Sequence, residues 1–187
     1  ALLGTGRKER VINSQPKNPR NGEKLKVTTP TTYHALLEFQ TGACVTVSLS
    51  WDVWAHKHQN MEIYGQNGAM FVPDPNFFGG DVMVAGSDQT PKVMKSWDHP
   101  FAKNNWGMNN SQTDVLWANY RCAGLADMAA AIKKKKLARC DISLVAHVVE
   151  VMTAMIESGT KHKVVKLKST CKRPAPLGPD EARALMK

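Results

Sequence analysis

Two histidines separated by one residue, His56 and His58, follow a strongly alternating stretch of this 187-residue chain. Residues i and i+2 of an extended backbone point to the same side, so the two imidazoles could share a metal ion. Spacing identifies no third ligand, and we favour polar contacts to a bound substrate, because loops leaving strand ends commonly carry sites. An exposed loop with two incidental histidines is the alternative that the sequence leaves open.

Other chemical motifs are incomplete. Gly4-Thr5-Gly6 looks like the start of a dinucleotide-binding loop, but Glu9 replaces the third glycine and no strand precedes it. The cysteines lack the short spacings of zinc sites and of redox pairs, and therefore predict reduced thiols in a cytoplasmic protein; they are Cys44, Cys122, Cys140 and Cys171. Cys44 lies in an apolar run and is predicted to be a small buried hydrophobe.

Isolated aromatic and imidazole groups have structural interpretations beside functional ones. Trp97, Trp106 and Trp117 lie in a polar stretch, where indoles could stack on sugars or bases. We favour anchoring of an irregular segment, because no basic run is interleaved with them. His147 lies next to the apolar stripe of a predicted helix, which indicates a hydrogen-bonded, half-buried histidine.

The formal net charge of +9 is unevenly distributed. Residues 1–26 have seven basic and two acidic side chains (+5), residues 27–131 five and nine (−4), and residues 132–187 thirteen and five (+8). Positive charge at the ends of an acidic centre argues against a nucleic-acid interface. The sequence also contains no run of 18 apolar residues, so it predicts no membrane contact.

Period-two alternation indicates the elements that carry these groups. Residues 33–39 and 44–51 alternate around Gly42 and predict a hairpin. Residues 61–65 and 69–72 flank Gln66-Asn67-Gly68, a strong hairpin signal. Shorter strands are expected at 82–84, 92–97 and 164–167.

Helical periodicity begins after Asn119. One helix has the stripe Leu125, Met128, Ala129 and Ile132 and ends in Lys133–Lys136. A second begins after Asp141 and is predicted to stop at Gly159, and 179–185 predicts a terminal helical turn. Strands followed by helices indicate an α+β fold, an open and mostly antiparallel sheet with helices packed on one face.

Three regions are predicted along the sequence. Residues 1–12 would contain the end of a preceding helix and a first strand, residues 13–168 the sheet with its helices, and residues 169–187 an extended basic tail. A polypeptide that opens on Ala1-Leu2-Leu3-Gly4 is expected to be a piece of a longer protein.

Several segments in consistent order resemble the C-terminal domain of the glucose–fructose oxidoreductase / inositol dehydrogenase / MocA family. They are 20–31, LEFQTGACVTVSLSWDVWAH at 37–56, EIYGQNGAMFVPDPNFFGG at 62–80, 119–129, HVVEVM at 147–152, and 171–177. The match covers residues 20–178.

This resemblance implies a full-length NAD- or NADP-dependent dehydrogenase that acts on a sugar, inositol or related polyol by hydride transfer. Its N-terminal Rossmann domain and principal catalytic residues would lie outside this chain. The fragment alone is therefore expected to be inactive, with no catalytic residue and no bound cofactor or metal. The resemblance also implies a homo-oligomer formed through the free sheet face.

By position in the family, the loop after Trp51 and the segment before the first helix would face the substrate. The resulting candidate hydroxyl-binding residues are His56, His58, Asn119, Tyr120 and Arg121. Arg121 matches the family's arginine, and a helix-start salt bridge between Arg121 and Asp127 is the structural alternative.

The alternative function is a non-enzymatic sheet module that binds a protein or carbohydrate partner. It differs from the dehydrogenase hypothesis in needing no further domain. An export signal upstream would change the expected cytoplasmic location.

Overall fold

The computed structural model describes residues 1–13, 18–77, 80–95, 98–102 and 120–187. Within these ranges the strands are β1 (Leu2–Gly4), β2 (Glu9–Val11), β3 (Lys24–Lys26), β4 (Thr32–Glu38), β5 (Cys44–Ser50), β6 (Met61–Gly65), β7 (Gly68–Val72), β8 (Met83–Ala85) and β9 (Lys92–Val93). The helices are α1 (Ala123–Lys133), α2 (Ile142–Lys161) and α3 (Pro179–Leu185). The described strand pairings are antiparallel, which confirms the α+β class, although they form three sheets. The protein folds as two compact units.

The first unit contains Ala1–His56 and Ile142–Lys172. Its main sheet has the order β1-β4-β5, and a separate ribbon pairs β2 with β3. The β4–β5 hairpin is confirmed, with Ala35 opposite Val47 and Gly42 at a φ of +85° in the turn. Alternation collects the larger apolar residues on one face, where Ala35 is only 5% exposed.

The helix α2 packs against β1 in this unit. The predicted stop at Gly159 is wrong, because the helix continues to Lys161 and Gly159 is buried inside it. The glycine is needed for packing instead, since a Cβ there would overlap Cγ of Leu3 and lie 2.9 Å from its Cδ1. Tertiary contact thus explains a glycine that resembles a helix terminator in the sequence.

The segments before β4 and after α2 also differ from the prediction. Leu2–Gly4 is a strand paired with β4, where the end of a helix was expected. Residues 164–167 form no assigned strand, although half-buried Val165 and Leu167 still alternate with exposed neighbours. Side chains of α2 bind the residues on either side of this segment, Glu157 binding Lys163 and Glu150 binding Lys168 and Ser169. A β-strand requires a backbone ladder, and none is described for 164–167.

The strand β5 places Cys44 differently from the prediction. Cys44 is exposed and lies opposite Glu38. Period two puts Cys44, Thr46 and Ser48 on the polar face, away from Val45 and Val47, so the prediction of a buried thiol was wrong.

The second unit contains Lys57–Asp141 and Arg173–Lys187. Its sheet has the order β6-β7-β8-β9. The predicted hairpin is confirmed, with Gly65 opposite Gly68, so Gln66 and Asn67 form the turn. Gly68 lies in the strand, where a Cβ would overlap the Ala85 carbonyl oxygen of β8.

The C-terminal residues belong to this unit as well. The helix α3 packs against α1 and a 3₁₀ turn at Pro100–Ala102, and its Ala182 is fully buried. The predicted terminal helix over 179–185 is therefore present as a packed element.

Among the described helices, α2 is long and apolar enough to cross a membrane by length and composition alone. Its best 18-residue window has a mean hydropathy of 1.3 and is 11% buried. One such helix is weak evidence, because helices in globular domains pass the same test. Since His147, Glu150 and Glu157 bind the segment that follows the helix, we assign α2 to the packing of the first unit.

Candidate functional site

Two predicted site residues, Tyr120 and Arg121, lie immediately before α1. The guanidinium Nη2 of Arg121 donates a hydrogen bond of 3.1 Å to Oδ1 of Asn76. The ring of Tyr120 packs on Phe101 with centroids 4.9 Å apart. The structure therefore brings the segment before the first helix to Asn76, which lies 45 residues earlier in the sequence.

Local interactions constrain Asn76 and Gly80, which follow β7 in the family motif. Asp74 Oδ1 accepts a hydrogen bond of 2.9 Å from the Asn76 backbone N–H. Gly80 has a φ of +101°, and a Cβ there would lie 2.9 Å from Pro73 Cβ. The sequence identified this loop only as a family motif, and the contact that makes Asn76 a candidate site residue was missed.

An imidazole lies beside the Tyr120 ring system. His99 Nδ1 accepts a hydrogen bond of 3.2 Å from the Phe101 N–H. Its Nε2 lies 3.0 Å from the Leu177 carbonyl oxygen, which only accepts, so Nε2 carries the hydrogen. This bond connects Leu177 of the predicted tail to the ring contacts of His99, Phe101 and Tyr120 in the second unit.

The remaining predicted site residues are not collected into the same cluster by described contacts. His56 ends the first unit and His58 belongs to the second, and both are exposed. Asn119 lies outside the described residues, as do Trp97, Trp106 and Trp117. Among the residues described, no group of three His, Cys, Asp or Glu side chains is placed to hold a metal.

A carboxylate that the sequence analysis missed lies where β5 ends. Asp52 Oδ1 pairs with Arg10 Nη2 at 2.7 Å, and Oδ2 accepts hydrogen bonds from the Gly6 N–H at 3.0 Å, Thr31 Oγ1 at 2.5 Å and Thr32 Oγ1 at 2.9 Å. We call Asp52 and its four partners the Asp52 cluster. Its partners are up to 46 residues distant in sequence, so no local motif announces it.

Hydrogen bonds favour the ionised form of the Asp52 carboxylate. The Thr31 hydroxyl is the main cause of a lowered pKa at Asp52, followed by the Gly6 N–H, Thr32 and the charge of Arg10, while burial acts in the opposite direction. A Cβ at Gly6 would lie 2.7 Å from Asp52 Cγ, so a larger residue there would displace the Asp52 side chain. The ionised Asp52 side chain thus links the N-terminal segment to the turn after β5.

A second carboxylate cluster holds the segment that follows α2. Glu150 accepts hydrogen bonds of 2.8 Å from the backbone N–H groups of Lys168 and Ser169. The Ser169 hydroxyl also donates to Glu150 and lies 2.9 Å from His147 Nδ1. These bonds, led by that of the Ser169 hydroxyl, lower the pKa of Glu150 to about 2. The prediction of a half-buried, hydrogen-bonded His147 is confirmed.

The ion-pair partner of Asp127 in the structure is Arg139. Arg139 Nη1 binds Asp127, and the Arg139 backbone N–H donates to Asp127 Oδ2 at 2.9 Å. Arg139 also binds the Ala175 carbonyl oxygen at 3.1 Å and Glu181 Oε2 at 2.7 Å. Asp127 is therefore occupied structurally, and Arg121 bonds to Asn76.

A comparison with protein-family models shows which family the chain belongs to. The model for the C-terminal alpha/beta domain of an oxidoreductase family, glucose–fructose oxidoreductase / inositol dehydrogenase / MocA, matches residues 1–167. The chain belongs to this oxidoreductase family. The predicted resemblance is thereby confirmed over most of the sequence. Searches of curated proteins and of solved structures each gave no match.

Membership in the family implies a nicotinamide cofactor, which can be tested against the residues of this domain. Gly4 lies in β1, and the Gly6 N–H already donates to the Asp52 carboxylate. A backbone amide bound to an anionic side chain of its own domain is not placed to receive a dinucleotide phosphate. The Gly4-Thr5-Gly6 segment therefore does not fit the cofactor.

Proposed function

We propose that this chain is the substrate-binding and oligomerisation domain of an NAD- or NADP-dependent dehydrogenase that acts on a sugar, inositol or related polyol. The observation that supports it is the hydrogen bond between Arg121 and Asn76, which joins two family motifs at one point. The cofactor and the hydride-transfer chemistry would belong to a further domain of the parent protein. This domain would hold and orient the substrate.

The chemical groups at this point suit a polyhydroxylated ligand. Arg121 presents several N–H donors in a plane, and its bond to Asn76 limits the rotation of the guanidinium. Tyr120 is half-buried against Phe101, so its ring is held while its hydroxyl is both a donor and an acceptor. Polyols require several such groups in fixed register. Asn119, His56 and His58 are further proposed hydroxyl-binding residues.

Binding to the purified protein tests this function. We expect glucose or myo-inositol to bind with millimolar affinity in calorimetric titrations, and NADH and NADPH not to bind. Arg121→Gln should weaken sugar binding by about tenfold, a loss typical of a charged hydrogen bond. Arg20→Gln is the matched control, because Arg20 is exposed and forms its ion pair with the nearby Glu23. Micromolar NADH binding, or sugar affinity unchanged in Arg121→Gln, contradicts the proposal.

Self-association through the sheet face is a separate part of the proposal. The face of β4 and β5 that carries His34, Leu36, Thr46 and Ser48 is exposed, and Leu36 is 80% exposed. Leu36→Lys should therefore lower the association state in sedimentation equilibrium without unfolding the protein. A monomeric wild-type protein contradicts this part.

A cytoplasmic location remains part of the proposal. It is supported by the four cysteines, which are free thiols in the structure. Fractionation of cells that express the parent protein tests it.

A further inference from the structure

Two tryptophans lie at the turn where β5 ends, and both are unusually exposed. Trp51 is 82% exposed and Trp54 is 90% exposed. Indoles are the largest apolar side chains and are commonly buried on at least one face. Their exposure in one short turn of the first unit therefore requires an explanation.

The turn that carries them is held firmly. The Trp51 N–H donates to the Thr31 carbonyl oxygen at 2.9 Å, and the Trp51 carbonyl oxygen accepts from Arg10 Nη2 at 2.8 Å. The next residue is Asp52, whose cluster ties the turn to Gly6 and the Thr31–Thr32 pair. A fixed backbone presents the indoles with a small loss of conformational entropy when a ligand binds.

A cation fixes the orientation of the second indole. The Arg7 guanidinium carbon lies 5.1 Å from the Trp54 ring centroid, a cation–π distance. Because Trp54 is still 90% exposed, most of its ring surface remains open to solvent. Because the guanidinium lies over one face of the indole, the opposite face is the one that a ligand can cover.

We propose that Trp54, oriented by Arg7 and carried by the turn that the Asp52 cluster holds, is a stacking platform for the ring of a cyclic polyol, a pyranose or a cyclitol. This inference rests on the proposed function, since it assumes a sugar or polyol as ligand. The C–H groups on one face of such a ring form an apolar surface that matches the open face of the indole, while the hydroxyls at its rim stay in contact with water. An acyclic polyol has no rigid C–H face and gains less from stacking.

Saturation-transfer NMR on the whole protein tests the platform with three probes: methyl β-D-glucopyranoside, myo-inositol and the acyclic polyol glucitol. We expect the two rings to bind more tightly than glucitol and to receive most saturation at the C–H groups of one face. Trp54→Ala should weaken ring binding by about tenfold, while Trp54→Phe retains most of it. Arg7→Gln should weaken it less than Trp54→Ala does.

The matched control is Tyr64→Ala, because Tyr64 is another aromatic residue on a strand and is 72% exposed. It should leave ring binding unchanged, and circular dichroism checks that each variant is folded. Ring binding unchanged in Trp54→Ala, or glucitol binding as tightly as the rings, overturns the platform.

The failure of the platform can be told apart from that of the proposed function. If Arg121→Gln weakens sugar binding and Trp54→Ala does not, the platform is wrong and the proposed function stands. If neither variant matters, or if no probe binds up to about 100 mM, which corresponds to a negligible affinity, both are wrong.

Discussion

Gly159 of α2 lies directly against Leu3 of β1. A Cβ at Gly159 would overlap Cγ of Leu3 and come within 2.9 and 3.0 Å of its two δ carbons. This contact joins the first strand to the long helix of the first unit, although the two elements are far apart in sequence. The lack of a Cβ at Gly159 therefore allows the helix and the strand to pack this closely.

Gly159→Ala should lower the free energy of unfolding by about 1–3 kcal/mol, because the added methyl overpacks the contact with Leu3. Urea denaturation measures the change. Gly124→Ala is the control, since no atom of the described residues outside its own helix lies within 4 Å of a Cβ there and alanine favours helix, so stability should stay equal or rise. Equal destabilisation by both variants contradicts the packing role.

Asp52→Asn should lower the melting temperature by a few degrees at neutral pH, because it removes the charge paired with Arg10 and replaces an acceptor oxygen with a donor. The folded-state pKa of Asp52 lies below its ordinary value of 3.8, so its stabilisation is present above that pH and is lost on acidification. The melting curves of wild type and variant should converge in acid. Glu9→Gln, at an exposed pair 4.0 Å from Lys24, should change little.

Glu150→Gln should release the segment around Lys168 and Ser169. The pKa of Glu150 falls from 4.5 to about 2 on folding, so the stabilisation is complete above pH 4.5 and disappears as the pH falls toward 2. Hydrogen exchange should show faster exchange of the two amides at neutral pH. Glu38→Gln, on an exposed strand position, should leave both amides protected.

Arg139→Lys should loosen residues 173–185, since a single ammonium cannot bind Asp127, the Ala175 carbonyl and Glu181 as the planar guanidinium does. Mass-spectrometric hydrogen exchange of peptides from α3 measures the effect. Arg20→Lys, which changes only an exposed pair with Glu23, should leave these peptides as protected as in wild type.

Asn76→Ala should weaken sugar binding through the position of Arg121, by about threefold to tenfold, the cost of one lost hydrogen bond. The melting temperature should stay within a degree or two of wild type, because Asn76 is exposed. Asn67→Ala, in the turn between β6 and β7, is the matched control and should bind sugar normally. A large fall in stability would make Asn76 a structural residue.

The β4–β5 and β6–β7 hairpins and the helices α1, α2 and α3 could be predicted from the sequence, because periodicity and turn residues are local signals. The alternation around Gly42 and the Gln66-Asn67-Gly68 segment both predicted the pairs that form. Local signals gave the wrong end of α2 at Gly159, because the sequence alone does not distinguish a glycine that packs inside a helix from one that ends it. They also misled at 164–167, where no strand forms and Glu150 instead accepts hydrogen bonds from the next two backbone N–H groups, those of Lys168 and Ser169.

The candidate site, like the fold, could be predicted from the sequence only in part. The sequence by itself determined the family, the α+β class and the candidates Tyr120 and Arg121, because these depend on residue types in a fixed order along the polypeptide. Only the tertiary structure decided that Asn76 bonds to Arg121, that Asp127 bonds to Arg139, and that Asp52 gathers Gly6, Arg10, Thr31 and Thr32. The physical reason is that a hydrogen bond depends on a few ångströms in space, and folding brings such partners together from up to 46 residues away.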